Sequence, residues 1–532
     1  MSAAAGSLDA SDHAGKGTLP KRSLGGLISI SIFWFAINFH WAALQQIIIP
    51  AQVNGLLFEQ APGANSSEWL AWAAANSPLM IALVAAPGLI VALIGNPLFG
   101  MLSDRTPGRF GRRRPYIFFG ALANVLGLAV MAFVPNLFLH EHSGQTLSLS
   151  LVALMVGLMI TQAANNAAAA PFHALLPDLV PPEQRGKASG IIGIALFLGQ
   201  IGGFVVPALC GFDNGRLARG EQSYGAFSGG IALAYMLVAG VVVLMAILTV
   251  ITVRERPWHR TQLMVEQRAG EKRTWRDLIL TVLITGVVAT ILLVALNAGV
   301  GPGLNADSLG VVQLIAVVIA GIGAARAFDF SPRRNPDFSW VVLTRALVMM
   351  GIYIVQFFMF NYMFYVVRAP EPVAATTIFF VLVTLTALMS TLVAGHASDR
   401  FGRKAMVYVS GAFMAVVGAM FVFAPYLVPG NLLLLAYGGA AIFGLGYGAY
   451  VSVDWAMVAD VLPDENTYAR DMGIWNIALA FPQVIATVLG AWFIALGAAL
   501  VSQQFGYTLL FVWFVIFCVL GTVTVRFIRG VK

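Results

Sequence analysis

The chain has 532 residues, of which 59% are apolar and only 10% charged, with a mean hydropathy of +0.83. Soluble domains carry roughly 25% charged residues, so this composition excludes an ordinary soluble domain and describes a chain built to sit in lipid. The formal charge of +7 would invite nucleic acid in a soluble protein, but its placement here gives it another meaning.

Residues 1–26 are small and polar, with Lys16, Lys21 and Arg22 just ahead of the first apolar stretch. No small-residue cleavage site follows a short apolar core, so this segment reads as a cytoplasmic tail and not a signal peptide. A membrane span needs roughly 20 mostly apolar residues. Six such stretches follow, near 27–50, 77–101, 115–135, 147–171, 187–211 and 227–252. Two more lie near 278–299 and 308–325, and six near 341–366, 373–396, 405–424, 432–458, 472–497 and 506–528. The fold class predicted is an all-α polytopic membrane protein of about 14 spans. Its parts are a tail (1–26), a six-helix bundle (27–252), a linker with two inserted transmembrane helices (253–340), a second bundle (341–528) and a short tail (529–532).

With the N-terminus inside, 28 of the 31 Lys and Arg fall in cytoplasmic segments or at cytoplasmic span ends, the exceptions being Arg216, Arg219 and Arg368. Positive residues resist translocation, so this asymmetry predicts that both termini are cytoplasmic. The basic linker after the sixth span, from Arg254 to Arg276, reads as a segment attracted to anionic headgroups; no aromatic or motif pattern supports nucleic-acid binding. Cys210 and Cys518 lie in or beside apolar stretches and predict neither a disulfide framework nor a metal site. No glycine-rich phosphate loop with lysine is present, so no enzyme and no bound cofactor is expected.

One phrase is written twice. Gly100-Met101-Leu102-Ser103-Asp104-Arg105 and Gly395-His396-Ala397-Ser398-Asp399-Arg400 lie 295 residues apart. Each precedes a basic cluster, Phe110-Gly111-Arg112-Arg113-Arg114 and Phe401-Gly402-Arg403-Lys404, the first after a four-residue insertion, Thr106 to Arg109. A second pair aligns Asp178 with Asp460 and Pro181 with Pro463, each 282 residues apart. Both repeats run in the same order, so the halves are parallel copies and two-halved membrane bundles of this kind are usually transporters.

Six plus six helices with an acid-base loop after the second helix of each half resembles the major facilitator superfamily. The text from Ser103 to Tyr116 is similar to the loop of the sucrose–proton symporters, in the glycoside–pentoside–hexuronide branch, and Phe39, Trp41, Ala42 and Pro50 match that family's first helix. The resemblance implies a gate built from Gly100, Asp104, Arg105, Arg112, Arg113, Gly395, Asp399, Arg400, Arg403, Asp178 and Asp460; the bland reading of the same loops is helix capping and topology. It also implies a neutral sugar or glycoside cargo. Sodium-coupled relatives use acids on their second and fourth helices, and this chain has none there before Asp178, which favours protons over sodium.

Asp454 is the acid that lies within a span, six residues before Asp460 and so roughly 9 Å deeper along the helix. At that depth an ionisable group faces a polar cavity or a partner. It reads either as a proton-coupling group or as half of an ion pair with Arg345 or Arg470. His40, placed mid-span, is a second candidate for handling protons, or a packing histidine. Asn38, Trp41 and Gln45 on the first span, with Trp41 and Gln45 one helical turn apart, offer an aromatic face beside an amide, as a sugar requires. Gln162, Asn165, Asn166, Gln356, Asn361, Tyr362 and Asn476 extend this polar set, or else hydrogen-bond helices together. The expected protein is a multi-pass cell-membrane symporter of a sugar, in the inner membrane if bacterial. The alternatives are an exporter of a hydrophobic or drug-like solute and a non-transporting membrane assembly factor.

Overall fold

A computed structural model describes residues 20–60, 67–106, 110–138, 146–255, 332–333, 335–461 and 468–530. The two inserted spans expected near 278–325, and most of both tails, lie outside the described residues.

The first apolar stretch folds as α1 (Leu24–Ala43), a π-helical turn (Leu44–Ile48) and α2 (Ile49–Gln60) in one continuous rod. The π turn has a local cause. Pro50 has no N–H to give the carbonyl one turn back, and the Ile49 N–H reaches past it to Leu44 O. The rest of the first half is α3 (Ser67–Arg105), α4 (Arg114–Leu137), α5 (Thr146–His173), the short α6 (Leu175–Leu179), α7 (Arg185–Leu209), the short α8 (Asn214–Ala218) and α9 (Tyr224–Thr252). The second half is α10 (Pro336–Tyr365), α11 (Pro372–Phe401), α12 (Arg403–Leu427), α13 (Leu432–Val461), α14 (Tyr468–Leu500) and α15 (Gln503–Thr524). Eleven of the described helices are long and apolar enough to cross a membrane, and α3 carries a shorter apolar stretch, Asn76–Ala92.

Helix starts follow the sequence. Ser23, Ser223 and Ser502 accept from the backbone N–H of Gly26, Ala226 and Phe505 at 3.2–3.3 Å, each satisfying a donor the helix cannot use. Proline occupies the first turn of α4, α10 and α11, where its missing N–H costs nothing.

The duplication is visible in the packing. In the first half α4 lies on α5, α3 on α5, the α1 rod on α7, and α9 on both α4 and α1. In the second half the equivalents repeat: α12 on α13, α11 on α13, α10 on α14, and α15 on both α12 and α10. The halves meet through α3 against α14 and α7 against α11, again a reciprocal pair. The second bundle has an aromatic core in which Tyr362 sets its ring edge against Phe421 and Phe511, with centroids 5.4 and 5.1 Å away.

Candidate functional site

At the loops between the second and third long helices of each half, the repeated text makes repeated bonds. Ser103 Oγ donates to Gly100 O at 2.8 Å, and Ser398 Oγ to Gly395 O at 2.9 Å. Gly111 and Gly402 both take left-handed backbone, at φ 89° and 87°, a conformation in which a Cβ is strained. This turn aims the next side chains back at the following acidic loop. Arg112 meets Asp178 at 2.8 Å and Arg113 meets it at 3.3 Å, while Arg403 meets Asp460 at 2.7 Å. Arg113 also donates to Ser103 Oγ at 2.6 Å. The first loop has a further brace that sequence reading missed. The Glu255 carboxylate, just past α9, accepts from the backbone N–H of Arg112, Arg113 and Arg114 at 2.8–3.0 Å. Arg400 is exposed, and the side chains of Asp104, Arg105 and Asp399 are not among those described.

Mid-bundle, α1, the π turn, α3, α5 and α10 line a narrow, partly open cleft. Trp41, Gln45 and Gln162 line it, with Phe357 on the opposing helix and Ile81 and Leu89 along one wall. The cleft so combines two amides with two aromatic faces and has no charged lining residue. Phe357 was not foreseen; the polar neighbour Gln356, one residue and so about 100° around the helix, was named in its place.

Several of the remaining polar residues of the expected set have other partners. Asn38 donates to Trp34 O at 2.9 Å, and Asn166 to Gln162 O at 2.8 Å, each one turn back on its own helix. Asn165 is buried on α5 and Gln356 is half-buried on α10. Tyr362 packs in the aromatic core. The Asn476 and Arg470 side chains are outside the described ones. His40 is fully buried, edge-on to Trp41 with centroids 4.5 Å apart, and neither ring nitrogen meets a partner among the described residues.

Asn361 belongs to a third cluster, which joins the two halves at the end opposite the doubled loops. Asn54 on α2 donates to Asn361 Oδ1 at 3.0 Å, Asn361 donates to Ser77 Oγ at 3.1 Å, and the Tyr365 hydroxyl donates to Asn54 Oδ1 at 2.5 Å. Thr377 on α11 donates to Phe204 O on α7 at 3.0 Å nearby.

Asp454 is closed off. Its carboxylate takes the Arg345 guanidinium of α10 on one oxygen and the Tyr450 hydroxyl on the other, the latter at 3.1 Å. The indole of Trp475 on α14 lies under the Arg345 guanidinium, 3.3 Å from its centre. Both charged side chains are 4% exposed. Desolvation at such a site is tolerable only because each charge faces the other.

The family model of the Major Facilitator Superfamily matches residues 26–380 and 341–531, which together take in nearly the whole chain. The chain belongs to that superfamily. It is a multi-pass membrane protein and not an enzyme. Among superfamily members it is similar to the sucrose transport protein SUC3 of Arabidopsis thaliana, at 26% identity over 179 residues, 32% of this chain and 30% of that protein. It is also similar to the proton-associated sugar transporter A of Homo sapiens, at 25% identity over 241 residues, 45% of this chain and 28% of that one. The matched region thus spans less than a third of the length of either relative. The crystal structure of a D-xylose–proton symporter superposes with a TM-score of 0.60 at 17% identity, covering 96% of this chain and 99% of that one. That likeness establishes the fold.

Proposed function

We propose that this protein is a secondary transporter that carries a sugar or glycoside together with protons by alternating access. The observation that carries the reading is the cleft lined by Trp41, Gln45, Gln162 and Phe357. A sugar presents hydroxyls, which amides can satisfy, and apolar C–H faces, which aromatic rings cover; an uncharged lining disfavours an ion or a carboxylate. The sugar relatives named above support the same cargo, and the proton in the name of one of them supports the coupling.

In this reading Asp454 is the proton site and Arg345 its counter-charge. When a proton neutralises the carboxylate, the guanidinium loses its partner and must find another, so the state of the pair biases how α10, α13 and α14 pack. The paired loops, Arg112 and Arg113 with Asp178 and Arg403 with Asp460, brace each half as a rigid body on the cytoplasmic side. The Asn54–Asn361–Ser77 cluster closes the opposite, outer side. The full topology is about fourteen spans with both termini cytoplasmic, the two inserted helices lying between the copies, as the distribution of Lys and Arg supports.

Counterflow of labelled disaccharides into proteoliposomes tests the cargo. Exchange that an unlabelled disaccharide competes away is expected. Exchange competed only by hydrophobic solutes would make the protein a carrier of a different class, and absence of any exchange would favour an assembly role.

A further inference from the structure

The outer closure contains a carboxylate that the transport reading does not use. Asp213, between α7 and α8, is 2% exposed, and its two oxygens face in different directions. Oδ1 accepts from the backbone N–H of Gly215 at 2.8 Å and of Arg216 at 3.2 Å, capping its own short helix. Oδ2 crosses to the other half and accepts from the N–H of Val373 at 3.2 Å, in the first turn of α11. That 30-residue helix has no cap of its own: the side chain of Glu371, at its N-cap position, makes no capping bond. One half of the molecule therefore caps a helix of the other.

The contact around this bond is tight. A Cβ on Gly215 would collide with Pro370 O, and Arg219 donates to that same carbonyl at 2.8 Å. The charged groups near Asp213 are Arg216 on its own helix, Arg219 and Glu221 just beyond it, Arg368 and Glu371 in the connection before α11, and Glu59 at the end of α2, on which α8 packs. Arg219 and Glu221 satisfy each other at 2.7 and 2.8 Å, and these bonds hold the exposed Glu221 carboxyl below its ordinary range.

We propose that Asp213 is a protonation site that latches the outer closure, and that a proton taken up there from the outer solution releases α11 from the first half. The step is simple. A proton removes the carboxylate's charge, so the Val373 N–H no longer faces an ionised acceptor but the weaker oxygen of a neutral carboxyl, and the cross-half bond weakens. Oδ1 keeps its bonds to Gly215 and Arg216, so the loop itself stays folded. The open outer state is then favoured as pH falls. Asparagine at this position imitates the protonated acid, with its amide N–H₂ replacing Oδ2. The inference depends on neither the cargo nor the coupling at Asp454.

The test measures the gap directly, without sugar or gradient. Spin labels are placed at Gly225→Cys and Gly430→Cys, exposed positions at this end where an added Cβ meets nothing within 4 Å, with Cys210 and Cys518 replaced by alanine, in lipid nanodiscs. Inter-label distances are recorded from about pH 8 down to about pH 3.5, a window that includes the ordinary aspartate range at about 4. The open-to-closed ratio is expected to rise roughly fivefold or more on acidification, the scale of a lost helix cap. Asp213→Asn should sit near the acidic ratio at every pH, with no further response, while Glu221→Gln keeps the full response. A distance distribution that stays constant with pH, or a pH response retained in Asp213→Asn, would overturn the proposal.

Discussion

Arg345 on α10 and Asp454 on α13, 109 positions apart in the chain, meet as a buried ion pair with an indole beneath the cation and a tyrosine hydroxyl on the anion. Neither α10 nor α13 holds another charge at this depth. The pair therefore links two helices that hydrophobic packing alone would leave free to slide.

The first prediction separates its two roles. Asp454→Asn should abolish proton-driven accumulation while sparing sugar exchange. It should also cost about 3–5 kcal/mol of stability, because Arg345 is left without its counter-charge. Replacing both at once, Arg345→Met with Asp454→Leu, should restore most of the melting temperature and none of the accumulation. Recovery of accumulation in the double variant would show that the pair is only a structural tie.

A second prediction concerns the cleft. Trp41→Ala should raise the KM for counterflow on the order of tenfold, the scale of a lost aromatic contact with its buried area. Gln45→Ala and Gln162→Ala should each raise it about fivefold, as for one lost hydrogen bond. Phe357→Ala should act like Trp41→Ala. Thermal melts of the Trp41 and Gln45 variants should stay close to the parent, whereas Phe357→Ala, at a fully buried ring, should also lower the melting temperature; a KM unchanged across the set would place the cargo elsewhere.

The doubled loops make a third. Asp178 accepts from two arginines and Asp460 from Arg403, and both acids are partly exposed, at 29% and 34%. Each bridge should be worth no more than about 1 kcal/mol in stability. Asp178→Asn and Asp460→Asn should both lower the maximal transport rate with little change in KM, the first more strongly. Equal loss of KM and rate would argue against a role in the conformational step.

Gly111 supplies a fourth. Its φ of 89° is unfavourable for any side chain, and a Cβ there would run into the Glu255 carboxylate that gathers three backbone donors. Gly111→Ala should cost more than about 1 kcal/mol and loosen the loop, seen as faster hydrogen exchange at Arg112, Arg113 and Arg114. Glu255→Gln should do the same more mildly, since it keeps one acceptor.

Much of the architecture can be read from residues alone. Within the described residues the apolar stretches correspond to the long helices, and the alignment of Asp178 with Asp460 marks two equivalent positions, although the arginines that meet them come only from the structure. Trp41, Gln45 and Gln162 do converge on one cleft, because a span that carries an aromatic and an amide one turn apart has few other uses for both. Phe357 could not be picked out. In a membrane helix the lipid face and the packed face are equally apolar, so periodicity does not reveal which phenylalanine of α10 faces the cavity. Asn361 and Tyr362 illustrate the same blindness from the polar side: adjacent in sequence, one ties the halves together and the other packs in an aromatic core. Glu255 and Asp213 act through backbone N–H groups far away in the chain, a relationship that residue type cannot signal.

The most direct test of the account is proton movement on adding a panel of disaccharides and glycosides to proteoliposomes without an imposed gradient. The account predicts that at least one sugar drives protons in with it, alkalinising the medium, and that the signal vanishes in Asp454→Asn while counterflow of the same sugar persists. Sugar exchange with no accompanying proton movement in the parent protein would contradict it.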